Sequence, residues 1–562
     1  MLLGGGCGPQ ESVNSILRMR TTRRDFLSAT GSLLVSGALT RSRQIPSHAD
    51  ADIILRGGTV FDGTGADGRD SDVAISGDRI SAIGTALAGR GAVEIDVRGL
   101  AVAPGFIDIH SHGDASLAAD PRAESVIRQG ITTIVVGADG SSRATGASAN
   151  GFAALFAKLE RLKPAPNVAS MIGLGAVRAA IVGNDDRRAT PAELRMMMAM
   201  VERALADGAC GASSGLEYTP GAFAPTEELI ALCAPLARRG LVYATHLRNE
   251  DDKLLDAIAE SIAVARGAKC GLQISHLKTQ GPRNWSKLDQ AFALIDGART
   301  DGIDVAFDRY PYLAYATSLT NLFPVWARDG GINAFLARLD NPSVALRIET
   351  ETRAKVDLIG GWDNVQITSV TSPADRDAEG KRLGAWASSM NKAPYAALVS
   401  LIRRNTGSVD MAGFAMSEEN LERILAHPRS MVCTDGGAFA NDGPTRRGSP
   451  HPRGAGSFPR VLGRYVRERK TLTLTQAIRK LTSAPADRVR LADRGRLAVA
   501  KAADVVVFDP ASIADTATFE RPFQYPVGIS LVIVNGHVVL RDGQRSRVQS
   551  GRALRSDPKG AG

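Results

Sequence analysis

The stretch GFIDIHSHGD, residues 105–114, ends an apolar run with two histidines one residue apart. Side chains two apart on a strand share a face, so His110 and His112 project together, with Asp108 on the same side. Two imidazoles placed in this way suit a divalent metal such as zinc, which takes histidine nitrogen at about 2.0–2.1 Å. An isolated HxH is weak support, because a polar loop carries it as readily. The pattern sharpens when other apolar runs are read in the same register: YATH ends at His246, QISH at His276 and VCTD at Asp435. The chain has eight histidines, and four of them stand at run ends in register with an aspartate, a set that clustered metal ligands explain better than five separate structural accidents. His427, before Pro428, and His537, in a terminal hairpin, lack such company and are assigned to structure.

These residues share a site only if the chain brings the run ends together. Eight runs read as strands: GFIDIHSH, ITTIVVGADG, NVASMIGLG, GACGASSGL, LVYATHLR, CGLQISHLK, IDVAFDRYPY and SMVCTDGG. Helical stretches lie between them. TPAELRMMMAMVERALADG has Thr190 as cap, Pro191 in the first turn and Gly208 at its end, and TEELIALCAPLARRG also starts at a threonine and stops at a glycine. The fold class is therefore α/β, with alternating strands and helices closing into a (β/α)8 barrel whose catalytic groups sit at the carboxyl ends of the strands. On this reading the barrel covers residues 105–480. The connection from about residue 314 to 429 is too long for a loop and forms a lid or pocket wall. Short alternating runs in residues 50–104 and again in 481–555 predict a small β-sandwich built from both ends of the chain, with residues 556–562 as a tail.

The formal charge is +9. Six arginines against two acids in residues 1–49 account for +4 of it, leaving +5 on the rest. With no basic stripe interleaved by aromatics, nucleic acid is not an expected partner. Residues 1–49 carry Arg23 and Arg24, an apolar stretch from Phe26 to Leu39 and a small-residue site ending at Ala49, in the order of a twin-arginine-like export signal, with Met19 as a plausible start. The expected location is the periplasm or outside the cell. The apolar stretch is shorter than the roughly 20 residues a membrane span needs, so no stable span is expected. Cys210, Cys233, Cys270 and Cys433 form no CxxC pair and suggest neither a disulfide framework nor a zinc finger.

The chain resembles the amidohydrolase superfamily, and within it the D-aminoacylase or N-acyl-D-amino-acid deacylase family. The matching stretches are PGFIDIHSHGD, GASSGLEYTPGAFAPTEE, YATHLRNE, QISHLK, YPY, TDGG, HPRGAGSFPRVLGRY and ADVVVFDPASIADTATFERP. The resemblance implies a zinc-bearing barrel with one or two ions: His110 and His112 at one position, His246 and His276 at a tighter one, and Asp435 as ligand and general base and acid for a metal-activated water. It implies that Lys278, Arg453, Tyr310 and Tyr218 surround the carboxylate of a small N-acyl amino acid or peptide-like substrate. Arginine suits that place because its planar fork binds a carboxylate through two parallel hydrogen bonds.

The sequence also departs from the pattern. Relatives carry a metal-bridging cysteine after strand two, where this chain has Asp139, a harder ligand than thiolate. Strand four has no lysine for a carboxylated bridge, and Leu174 stands where relatives often have histidine. The expected reaction is hydrolysis of N-acyl-D-amino acids to a carboxylate and a free D-amino acid. A metal-dependent dipeptidase, acting on D or blocked residues, would use the same groups, and a periplasmic binding protein with weakened metals would keep the pocket without turnover.

Overall fold

The computed structural model describes residues 50–144 and 151–556. The expected export signal and nearly all of the tail lie outside the described residues.

Eight strand positions follow one another in chain order: Phe106–Asp108, Ile131–Val136, Asn167–Ser170 continued by Ile172–Gly173, Gly211–Gly215, Val242–His246, Gly271–Ile274, Val305–Arg309 and Ser430–Val432. Each ladder between neighbours is parallel. Nearly every strand residue is buried, which is why the runs read as continuously apolar: a parallel sheet is covered on both faces. The ring closes at its carboxyl end. The Asp435 amide donates to the His110 carbonyl at 2.9 Å and the His112 amide to the Gly436 carbonyl at 2.9 Å. Asp108 serves this seam: its carboxylate accepts the Thr434 amide at 2.9 Å and the Thr434 hydroxyl. Burial raises its pKa to about 7.

Thr190 caps the helix Pro191–Ala206 through a full capping box with Glu193. The helix Thr226–Ala237 begins at the expected threonine. Pro225 is its cap residue, and the Thr226 hydroxyl reaches across to Glu260 at 2.9 Å instead of capping.

The two β-rich ends make one nine-stranded sheet. Its hinge is the antiparallel pairing of Ala101–Pro104 with Val505–Phe508, where Pro104 faces Val505. Leu55, Val73, Ile75, Val507 and Ile533 fill its apolar core. The carboxyl-terminal strands start later than residue 481. The helix Ser483–Arg488 still belongs to the barrel, because Arg488 reaches Gln273 at 3.0 Å and Asp304 at 2.5 Å.

A buried polar network fastens this sheet to the barrel. Asp504 accepts from Asn167 of barrel strand three at 3.0 Å, from the Asn535 amide at 2.7 Å and from Arg494. Arg494 is only 4 % exposed, so removing its partner strands a charge. Asp504→Ala should lower unfolding stability by about 3–5 kcal/mol, read from urea melts. A loss below 1 kcal/mol would show that the network contributes little.

The insertion holds a three-stranded antiparallel sheet, with Val409–Phe414 between Ala314–Ser318 and Val365–Val370. Ile367, Trp386, Leu398 and Leu401 help pack it. It ends before residue 429: the helix Glu418–Ala426 buries Leu421, Ile424 and Leu425 in the barrel layer. No helix among the described residues is long and apolar enough to cross a membrane.

Candidate active site

The carboxyl ends of strands one, two, five, six and eight deliver His110 and His112, Asp139, His246, His276 and Asp435 to one place. Asp139 lies at its centre. Its Oδ2 is 3.3 Å from His110 Nε2, 3.4 Å from His112 Nε2, 3.5 Å from His276 Nε2 and 3.9 Å from His246 Nδ1. Asp435 Oδ1 lies 3.4 Å from His110 Nε2 and 3.1 Å from His112 Nε2, and its Oδ2 lies 3.9 Å from His276 Nε2. His246 Nδ1 and His276 Nε2 are 3.0 Å apart. His110, His112 and His276 each face both Asp139 and Asp435, while His246 faces Asp139 and His276.

Local backbone geometry presents these groups. Asp139, His276 and Asp435 have φ of 50°, 36° and 49°, a left-handed conformation that non-glycine residues hold mostly where a site requires it. Gly140 follows Asp139 with φ 72°, and a Cβ there would come within 2.7 Å of the Gly215 nitrogen. The turn after strand two thus rests directly on the backbone of strand four.

The donor set fits a divalent cation. His110 Nε2 and Asp139 Oδ1 are buried without a hydrogen-bond partner. Ligands of a tetrahedral ion bound at about 2.0–2.1 Å sit roughly 3.3 Å apart, close to the separations around Asp139. The electrostatics ask for positive charge. Burial opposes protonation of His112, yet Asp139 and Asp435 outweigh it and push its pKa up to about 9. His110 is raised well above its ordinary value by the same two carboxylates against the same penalty. Asp139 and Asp435 are driven well below the usual carboxylate range despite burial, Asp139 by His110 and His276, Asp435 chiefly by Arg453.

The outer edges of the imidazoles meet glutamates that the sequence reading left unassigned. His246 Nε2 donates to Glu217 Oε2 at 3.2 Å, and His276 Nδ1 lies 3.1 Å from Glu250 Oε1. Both glutamates lie inside stretches already singled out, GLEY and YATHLRNE. His246, Glu250 and His276 also converge closely enough to suggest an ion, but the Lys278 ammonium already fills that position, 2.5 Å from Glu250 Oε1 and 2.6 Å from His276 Nδ1. Through Lys278 and Glu250 this second group buttresses the His276 ring.

The cluster opens into a cavity of 860 Å³ walled by His112, Tyr218, Lys278, Tyr310, Asp435 and Arg453. Arg453 holds Asp435 Oδ2 at 2.5 Å and lies 4.7 Å over the Tyr310 ring. The Tyr310 hydroxyl is buried without a partner. Tyr218 stands further in, 3.3 Å from His246 Nδ1. His451, missed in the HPR stretch, seats the arginine: its Nδ1 accepts the Arg453 amide at 3.0 Å while its Nε2 donates to the Ala314 carbonyl at 2.9 Å. Burial and nearby Arg453 keep it neutral, its pKa well below the ordinary value. Leu174 is buried and leaves Gly175 and Ala176 to line the cavity. The insertion supplies the opposite wall through Thr317, Ser318, Lys355, Thr368, Asp410 and Met411.

The amidohydrolase family profile matches residues 93–540. N-acyl-D-glutamate deacylase of Alcaligenes xylosoxydans xylosoxydans is 37% identical over 527 residues, 91% of this chain and 98% of the relative. D-aminoacylase of the same organism is 35% identical over 90% of this chain and 97% of the relative. A crystal structure of N-acyl-D-glutamate deacylase from Bordetella bronchiseptica, complexed with zinc and a phosphonate mimic of the tetrahedral intermediate, superposes with a TM-score of 0.77 at 35% identity, covering 90% of this chain and all of that one. Histidines and aspartates gathered at one rim of a (β/α)8 barrel, together with a match over most of its length, place this chain in the amidohydrolase family.

Proposed function

We propose that the protein hydrolyses the amide bond of N-acyl-D-amino acids, releasing a carboxylate and a free D-amino acid. The convergence of four imidazoles on Asp139, beside an Asp435 that faces the cavity, carries this reading. Zinc is the ion proposed, held by His110, His112, Asp139, His246, His276 and Asp435. Bound there, it would polarise the amide carbonyl and lower the pKa of water to about 7.

The remaining steps belong to the chain's own groups. Asp435 takes the proton of the attacking water and delivers it to the leaving nitrogen. The substrate carboxylate enters beside Arg453, with the unpartnered Tyr310 hydroxyl free to donate to it. That added negative charge competes with Asp435 for the guanidinium and leaves Asp435 a stronger base once substrate is in place. Lys278, committed to Glu250, braces His276 more directly than it greets substrate. The D configuration is supported by the names of the relatives.

The test is release of free amine from the two enantiomers of N-acetyl amino acids, before and after chelation and with zinc restored. Turnover of the D form should fall at least a hundredfold on chelation and return with zinc. Equal rates for both enantiomers would remove the stereochemical assignment. Binding without turnover in the presence of zinc would make the protein a binder. The size of the cavity supports a second reading, a peptide-like acyl group, and dipeptides outpacing every N-acetyl substrate would promote it. Export is proposed from Arg23, Arg24 and the apolar stretch after them, and a chain found only in the cytoplasmic fraction would remove it.

A further inference from the structure

The insertion does more than roof the cavity. Its helix Pro342–Leu358 buries Ile348, Thr352 and Val356 along one face, with Ile348 and Val356 in the apolar cluster that the insertion shares with the barrel interior. Lys355 projects from that helix toward the barrel. Its ammonium donates to Glu217 Oε1 at 3.2 Å and to Asp251 Oδ2 at 2.6 Å. Glu217 turns its other oxygen to His246 Nε2 at 3.2 Å. Arg328, also from the insertion and 7 % exposed, donates to the backbone carbonyl of Glu217 at 3.2 Å and to Asn321 at 2.7 Å. Two cations from one excursion of the chain therefore clamp Glu217, the glutamate hydrogen-bonded to the His246 imidazole.

We propose that Lys355 is a positioning residue for the metal centre, acting through Glu217 to fix the ring and tautomer of His246. The chemistry requires such a device. For His246 Nδ1 to offer a lone pair toward Asp139 and His276, its Nε2 must carry the proton and have an acceptor. Glu217 is that acceptor, and it lies in a loop after strand four with no strand pairing to hold its side chain. Direct substrate capture by Lys355 does not fit its bonding, because its ammonium is already committed to two carboxylates of the chain, Glu217 and Asp251.

This inference rests on the cluster being a metal centre, so the experiment measures ion binding directly, with zinc titrated against a chromophoric chelator in the full chain. Lys355→Met and Glu217→Gln should each weaken zinc binding at one position by about 10–100-fold and lower kcat while KM changes by less than about threefold. Lys355→Arg should restore binding to within about threefold, and the double variant should be no worse than Glu217→Gln alone. Asp251→Asn, which removes the Lys355 partner that does not touch His246, should bind zinc like the native protein. Native affinity in Lys355→Met, or losses that add in the double variant, would overturn the proposal. If the methionine variant does not fold, Lys355→Gln is read by the same criteria. Failure of the native chain to bind zinc would instead remove the metal-centre reading itself.

Discussion

Asp435→Asn is expected to lower kcat by about a thousandfold while the protein still binds zinc. General acid–base groups contribute about 10²–10⁴-fold, and Asp435 is asked to do both halves of the work, accepting a proton from water and returning one to nitrogen. Asparagine keeps the shape, tolerates the left-handed backbone that this position adopts at φ 49° and leaves a carbonyl oxygen facing His110 and His112. Its amide nitrogen then faces Arg453, which loses the acceptor it now has 2.5 Å away in Asp435 Oδ2. Basicity is lost together with one negative charge, but that charge is already balanced by the Arg453 guanidinium beside it, unlike the charge of Asp139. KM should hold or fall slightly, because the guanidinium is then less engaged and freer to grip a carboxylate. Steady-state kinetics beside elemental analysis separate the two effects. A kcat within tenfold of native, with zinc still bound, would assign the proton transfers to another group.

Much of the centre was legible in the sequence because two simple periodicities were enough. Alternation put His110 and His112 on one face, and the barrel rule put His246, His276 and Asp435 at the same rim. The remainder depends on partners distant in sequence. Asp108 shares the face of the two histidines, yet its carboxylate closes the ring against Thr434, and alternation cannot tell a ligand from a seam. Glu217 and Glu250 lie in stretches that were quoted for other residues, and a glutamate beyond a strand end is unremarkable until its histidine is located. Lys355 reads as the solvent side of an amphipathic helix, because periodicity reports which face is polar and not that the polar face meets a barrel loop. The same limit explains the domain edges. The helix Ser483–Arg488 joins the barrel through Arg488, Gln273 and Asp304, contacts between residues about 200 positions apart in sequence that no local pattern reveals.

Asp139→Asn should weaken zinc binding by more than a hundredfold and carry activity down with it. Among the described residues, Asp139 Oδ2 lies within 3.9 Å of an imidazole nitrogen from all four histidines, so it is the shared anion of the site. Asparagine adopts the φ of 50° found there as readily as aspartate does, and its oxygen can occupy the same point. What changes is charge. With two dications bound, the two carboxylates would leave a formal excess of +2, and neutralising Asp139 would raise it to +3 in a pocket where the Asp139 side chain is 8 % exposed. Coulomb energies that water would damp are damped much less at such a point. Asp139→Cys makes the complementary test, since it keeps a negative ligand but exchanges hard oxygen for soft sulfur. That variant should hold zinc at least as well as the native protein, after a backbone penalty of about 1–2 kcal/mol for the left-handed conformation, and should shift its preference from manganese toward cadmium. Competition titrations with the three ions decide the matter. Native zinc affinity in Asp139→Asn would mean that the imidazoles hold the ion without a bridging anion, and Asp139 would then be a spacer that keeps four like rings apart.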